Sequence, residues 1–323
     1  MFSINRSLRG LSGGIVVSLL FFCAAQPSAA QAPFSRIVVF GGSLSDTGNG
    51  FAFIRTNVTP PDYSLGPLLI PGGVYARGGH HLSNGATWIE YLARPLGLAG
   101  TVRPAFQSAN QNATNFAVGA ARAREDGLNF NLQAQVNAFL EQSGGMAPSD
   151  ALYVIEIGGN DVRDALLAFP AGSDAILEAA LESIVNAIIT LHGAGARHVL
   201  VWNVPDISLT PAVRILGAGN PLIPVIASLL TQSFNASLAL ALNGLSALPQ
   251  LNIVPFDANG LITAIVADPG AFGLTDAENP CVAPNDPPFA CQNPGEFLFW
   301  DGIHPTTAAH AIVASAVASV LGL

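Results

Sequence analysis

Arg36–Gly50 reads RIVVFGGSLSDTGNG. Ile37 to Phe40 are four consecutive apolar residues, mostly β-branched, which is the pattern of a short strand buried on both faces. Gly41 and Gly42 follow at once, so the backbone can turn sharply and approach another group closely. Ser43 then stands at the strand's carboxyl end, ahead of Ser45, Asp46, Thr47, Gly48 and Asn49. In an open parallel α/β sheet, ligands and chemistry sit at that end of the strands. Ser43 is therefore a candidate nucleophile, although a serine in such a turn can equally cap a helix.

Further along, the same grammar repeats. Ala151–Ile157 (ALYVIEI) is the clearest strand and runs into Gly158-Gly159-Asn160-Asp161. Arg197–Val204 and Leu251–Phe256 are two more, ending at Pro205-Asp206 and Asp257. Between them the apolar spacing predicts helices over Leu132–Gln142, Ser173–Gly193 and Ile223–Leu245, with a closing helix over Thr306–Leu321 begun by Pro305. Ser83 or Asn84 is expected to cap a helix carrying Trp88, Ile89, Tyr91 and Leu92, which Pro95 ends. Asn115–Ala123 is a short apolar segment ending on Gly119, and the Pro- and Gly-rich Phe51–Arg77 reads as loop. Near-continuously apolar strands alternating with helices argue a parallel sheet covered on both faces. No repeat or low-complexity linker divides residues 31–323, which read as one domain.

Composition narrows the chemistry. Half of the 323 residues are hydrophobic and 10% are charged, which permits a large core and excludes global disorder. A net charge of −9 argues against nucleic-acid binding. All 12 basic residues are Arg; without Lys, Schiff-base and P-loop chemistry are excluded. Residues 1–30 have the form of a signal peptide. Arg6 and Arg9 are the basic part, Ile15 to Ala25 the apolar part, and Ser28-Ala29-Ala30 the cleavage site. Export then makes Cys281 and Cys291, the pair left after cleavage, a candidate disulfide.

Acyl transfer needs a nucleophile, a base, a group that holds the base, and donors for the oxyanion. Of the six histidines, His304 alone stands just before a helix with an acid, Asp301, three residues earlier. His192 and His198 bracket a helix-to-strand turn, and His310 lies inside the last helix. The adjacent His80 and His81 lack metal-site spacing and are expected to be solvated or to face substrate. Gly119 can offer a backbone N–H, Asn160 a side-chain N–H, and Ser43 its own N–H. Asn110–Asn112 and the Phe51–Arg77 loop are candidates to line the pocket.

FGGSLSDTGN, NFAVGAA, GGND and DGIHP, in this order, resemble the motif blocks of the GDSL, or SGNH, hydrolase family of esterases and lipases. The match spans Ser43 to His304 and extends to LSNGATWIEYLA, NVPD and FDANGLITAIVADPGAFG. The resemblance implies a three-layer, flavodoxin-like α/β/α sandwich. It implies Ser43 as nucleophile, His304 as base, Asp301 as its carboxylate, and Ser43, Gly119 and Asn160 as oxyanion donors. The position directly before the nucleophile, where the family usually has an acid, is Gly42, and a GxSxG elbow is absent. The expected activity is hydrolysis of a small-molecule or lipid ester without cofactor or metal, by an exported enzyme with no lasting membrane anchor. Acyl transfer at the same site and a non-catalytic binding role are the alternatives.

Overall fold

The computed structural model describes residues 1–2, 33–107, 112–127 and 130–323. The expected signal peptide lies outside the described residues except for its first two positions. The fold is that of the unit Ala32–Leu323. In chain order it comprises β1 (Ile37–Gly41), α1 (Asn49–Ile54), β2 (Asn57–Val58), β3 (Val74–Tyr75), α2 (Trp88–Ala93), α3 (Leu132–Gln142), β4 (Leu152–Glu156) and α4 (Gly159–Leu167). There follow α5 (Ser173–Ala194), β5 (His198–Trp202), α6 (Pro211–Gly219), α7 (Leu222–Leu245), β6 (Asn252–Phe256), α8 (Ala258–Ala267), β7 (Asp276–Pro280), β8 (Phe297–Phe299) and α9 (Thr307–Leu321).

The central sheet is parallel, in the order β1-β4-β5-β6. Residues 114–118 run along the outer side of β1: the Val39 N–H donates to the Thr114 carbonyl (2.9 Å), and Phe116 N–H to the Val39 carbonyl (2.8 Å). The chain thus passes to one side of β1 before it returns on the other at β4. In such sheets the crevice opens beyond the carboxyl ends of the two strands flanking this reversal. Those ends are Gly41-Gly42-Ser43 and Glu156, paired directly as Gly41↔Glu156.

Both faces are covered, as continuous apolar strands require. Val38, Phe40, Tyr153, Ile155, Val199 and Val201 point to one face and pack with side chains of α3, α5 and α7. Ile37, Val39, Leu152, Val154, Leu200 and Trp202 point to the other and meet α2 and α9, including Trp88, Val313 and Val317. The period-two split of each strand builds two cores from one sheet. The architecture is the expected three-layer α/β/α sandwich. α5 and α7 are long and apolar enough to cross a membrane by length and composition, and each buries residues of one side in the first core.

Several local expectations need correction. Thr87, not Ser83 or Asn84, caps α2, forming a capping box with Glu90. Ser83 and Asn84 serve the far end of the chain instead. The Ser83 hydroxyl donates to the Pro305 carbonyl (2.8 Å), and Asn84 Oδ1 accepts from the Thr307 N–H (2.7 Å). Pro305 lies before α9, whose cap is Thr306. α4, α6 and α8 have no counterpart in the apolar periodicity; α4 and α8 follow their strands so closely that the first turn reads as a loop, and α6 is a short helix begun by Pro211.

Cys281 and Cys291 form a disulfide, with Cα atoms 4.9 Å apart. The segment is laid against β8 and its continuation: the Cys281 N–H donates to the Phe299 carbonyl (3.0 Å) and the Val282 N–H to the Trp300 carbonyl (2.8 Å). With a sequence separation of 10, loop closure contributes about 2–3 kcal/mol. Reduction, or Cys281→Ser with Cys291→Ser, should lower the unfolding free energy by about that amount in a denaturant melt. Two free thiols in the mass spectrum of the unreduced protein would contradict the bridge.

Candidate active site

The Ser43 loop is held by buried polar groups on every side. Gly42 N–H continues the ladder to the Glu156 carbonyl (3.0 Å), which leaves half-buried Ser43 at the crest of the turn. Trp88 Nε1–H donates to Ser45 Oγ (3.0 Å). The Asp46 carboxylate accepts from the N–H groups of Gly48, Asn49, Gly50 and Gly119 at 2.7–2.9 Å. Asn49 Nδ2 donates to the carbonyls of Asn115 and Ala117, and Asn115 Nδ2 returns a bond to the Ser45 carbonyl (2.8 Å). The loop and the 115–119 segment are thereby one unit.

Asp301 and His304 meet within a turn just past β8. The fully buried Asp301 accepts at Oδ1 from the N–H groups of Ile303 (2.9 Å) and His304 (2.7 Å). Its Oδ2 lies 2.7 Å from His304 Nδ1. The carboxylate folds back over its own turn, so the i,i+3 spacing does bring the two together. His304 Nδ1 bound to a carboxylate leaves Nε2 as the nitrogen that can accept a proton.

One cavity of about 380 Å³ is lined by Gly42, Ser43, Asn160 and His304 together. Asn160 sits in the first turn of α4, fixed by a bond from its Nδ2 to the Ala121 carbonyl (2.9 Å), and the amide's second N–H remains available. The neighbouring Asp161 is fully buried and accepts from the Ala123 N–H (2.8 Å) and Arg124 Nη1 (2.8 Å). Hence the GGND turn and the 121–124 segment are locked together. The Ser43 N–H has no backbone acceptor among the described residues. Gly119 is different from expectation: its N–H is given to Asp46 Oδ2 (2.7 Å), and it does not line the cavity. A Cβ there would come within 2.5 Å of Leu82 Cδ1, so the glycine serves packing. The next residue, Ala120, adopts φ 68°, and its N–H has no acceptor among the described residues.

The other histidines take structural places. His81 is neither solvated nor substrate-facing: it is buried, its Nδ1 against the Gly78 carbonyl and its Nε2 2.9 Å from the Glu90 carboxylate. Burial opposes its charged form, and the Glu90 carboxylate outweighs burial and holds it above the usual value. His80 stacks on Phe51 at 3.8 Å between ring centres. His310 is buried in α9, where desolvation pushes it down to about 3. Among the described residues no group of three or more His, Cys, Asp or Glu side chains is placed to hold a metal ion. Of the expected pocket loops, Leu68 and Ile70 line the cavity; residues 110 and 111 lie outside the described residues.

Tyr75 was not legible in the sequence. It is buried in the two-residue strand β3 and its hydroxyl donates to Asp301 Oδ2 (2.9 Å) across 226 positions of sequence. Its ring packs edge-on against Tyr63 and Trp300. Tyr75→Phe keeps that packing and removes one donor from a buried carboxylate. The unfolding free energy should fall by about 1.5–3 kcal/mol in a denaturant melt. A loss within error would show that the N–H donors suffice for Asp301.

Known proteins resemble this chain over most of its length. The chain is 29% identical to "Esterase EstA" of Pseudomonas aeruginosa over 95% of its own length and 50% of that protein's. It is 26% identical to a GDSL esterase/lipase of Arabidopsis thaliana, covering 93% of this chain and 95% of the other. An acetylesterase of Thermothelomyces thermophilus is 28% identical, with 87% and 86% covered. The chain thus spans about half the length of the first curated relatives that it matches. Among solved structures, an acetylxylan esterase from Geobacillus stearothermophilus aligns with a TM-score of 0.49 and 13% identity over 91% of this chain and 97% of that one. The family described as GDSL-like Lipase/Acylhydrolase matches residues 37–317, and the chain belongs to that family.

Proposed function

We propose that this chain is an exported carboxylic ester hydrolase working through an acyl-enzyme on Ser43. The observation that carries the reading is the single cavity lined by Ser43, Asn160 and His304, with Asp301 bonded behind the histidine. Ser43 Oγ attacks the ester carbonyl carbon while His304 Nε2 takes its proton. Asp301 keeps the imidazole oriented and offsets the charge it gains. The carbonyl oxygen becomes an oxyanion, which the Ser43 N–H and the spare N–H of Asn160 are available to hold. In place of Gly119, whose N–H is occupied, the Ala120 N–H is the remaining backbone donor on that segment. Collapse of the intermediate breaks the bond to the alcohol oxygen, which receives the proton from His304. Water then repeats the sequence on the acyl-enzyme, releasing the acid and restoring Ser43.

The rest of the cavity wall is largely apolar, with Leu44, Ile70, Ile157, Leu167, Val204 and Val213 among its residues. Such a wall favours an aliphatic acyl chain over a charged one. Export is supported by the form of residues 1–30 and by the Cys281–Cys291 bridge.

Ser43→Ala should abolish hydrolysis of an aryl ester without loss of stability, and a phosphonate should label the wild type once, on Ser43. A label elsewhere would move the nucleophile. Asn160→Ala should lower kcat about 10²–10³-fold with little change in KM; a change in KM alone would make Asn160 a recognition residue. Across a panel of esters of graded acyl length, Val213→Trp should shift the preference to shorter chains. An unchanged preference would place the acyl group outside this cavity.

A further inference from the structure

Glu156 closes β4 opposite Gly41. It is only 8% exposed, yet it lines the cavity that holds Ser43 and His304. Its Oε2 is buried and has no hydrogen-bond partner among the described residues. The carboxyl reaches back toward β1: a Cβ on Gly41 would stand 3.1 Å from Oε2 and 2.5 Å from the Glu156 carbonyl oxygen. Glycine at 41 is what lets the two strand ends close in this way. None of the chemical steps above uses this group.

The environment of the carboxyl sets its charge. Burial disfavours the ionised form and outweighs the Ser45 hydroxyl and the Gly42 and Ser45 N–H groups that face it, so the carboxyl is pushed up to about 8. Among the described residues no cation pairs with it. On the nucleophile loop Asp46 is engaged by four backbone N–H groups. On the cavity walls His304 is paired with Asp301, and Arg122 and Arg163 are directed to Asp164. A neutral carboxyl keeps an O–H to donate, and it leaves no negative charge beside the place where an oxyanion forms.

We propose that Glu156 is a positioning residue of this site: its neutral carboxyl, seated against the Gly41–Ser45 turn where Gly41 contributes no side chain, braces the nucleophile and keeps negative charge from the developing oxyanion. The inference rests on the ester-hydrolysis reading. It makes the site sensitive to alkali through a residue outside the Ser43, His304 and Asp301 set. Once Glu156 ionises, a buried uncompensated anion opposes the transition state.

The test has two arms. In the first, kcat/KM for an aryl ester is followed from about pH 5 to about pH 10 in the wild type and in Glu156→Gln, which mimics the neutral carboxyl. The wild type should lose rate with a midpoint near 8, and the variant should lack that limb. In the second arm, melting temperatures of the same proteins are compared across pH, with no substrate. The unfolded carboxyl ionises near 4.5 and the folded one near 8, so the folded state binds the extra proton in between. Wild-type stability relative to the variant should therefore fall as pH rises through that window and then level off. The melting arm would succeed even if the chain hydrolysed no ester, so failure of the activity reading and failure of this inference remain distinct. Should Glu156→Gln fail to fold, Gly42→Asp carries the test. Its Cβ would meet only Asn160 Nδ2 at 3.8 Å and the Ala121 carbonyl oxygen at 4.0 Å. A carboxylate added to the turn on which Glu156 rests should move the alkaline limb to higher pH. An alkaline limb unchanged in either variant, or a melting difference independent of pH, would overturn the proposal.

Discussion

The Asp46 carboxylate is the interaction on which the site depends. Removing a carboxylate from water carries a large penalty unless its lone pairs are filled by donors. Here four backbone N–H groups fill them, one from Gly48 just before α1, two from the first turn of α1 and one from Gly119. Charge-assisted bonds of this kind are stronger than neutral ones, and they come from two separate segments of chain. The loop that presents Ser43 is thus fastened to the strand-like segment beside β1, and the Asn49–Asn115 exchange doubles the joint. A glycine directly before the nucleophile would otherwise leave the turn loose. Because the loop is anchored from its far end, Gly42 does not have to supply the rigidity itself.

The same device recurs at the other two corners of the cavity. Asp161 gathers the Ala123 N–H and Arg124, and so fixes the turn that carries Asn160. Asp301 gathers two N–H groups of its own turn, the Tyr75 hydroxyl and the His304 ring. Each corner pairs a buried carboxylate with donors drawn largely from backbone. Backbone donors cost little additional side-chain entropy to position, which suits a chain with few charged residues. Glu156 departs from this arrangement. Its Oε2 has no hydrogen-bond partner among the described residues, and burial outweighs the donors that face the rest of the carboxyl, which keeps it protonated.

The sequence by itself determined the layered parallel fold, because runs such as IVVF and ALYVIEI are apolar on both faces and only a doubly covered sheet buries them. It also determined Ser43, Asn160, Asp301 and His304 as the residues to watch, since each sits at a strand end or a turn in a motif with recognisable spacing. Their chemical roles remain the proposal made here. What only the tertiary structure decided are partnerships between residues far apart in the chain. Tyr75 reaches Asp301, Asn84 accepts the Thr307 N–H at the start of α9, and Glu90 claims His81. A backbone N–H carries no sequence signature of its acceptor, so Gly119 could be read as a free donor until Asp46 was seen to occupy it. Glu156, likewise, reads as one polar residue in a strand. Its weight comes from the strand pairing that seats it against Gly41 with no donor on Oε2, and pairing across a sheet is fixed by the packing of the whole domain rather than by local residues.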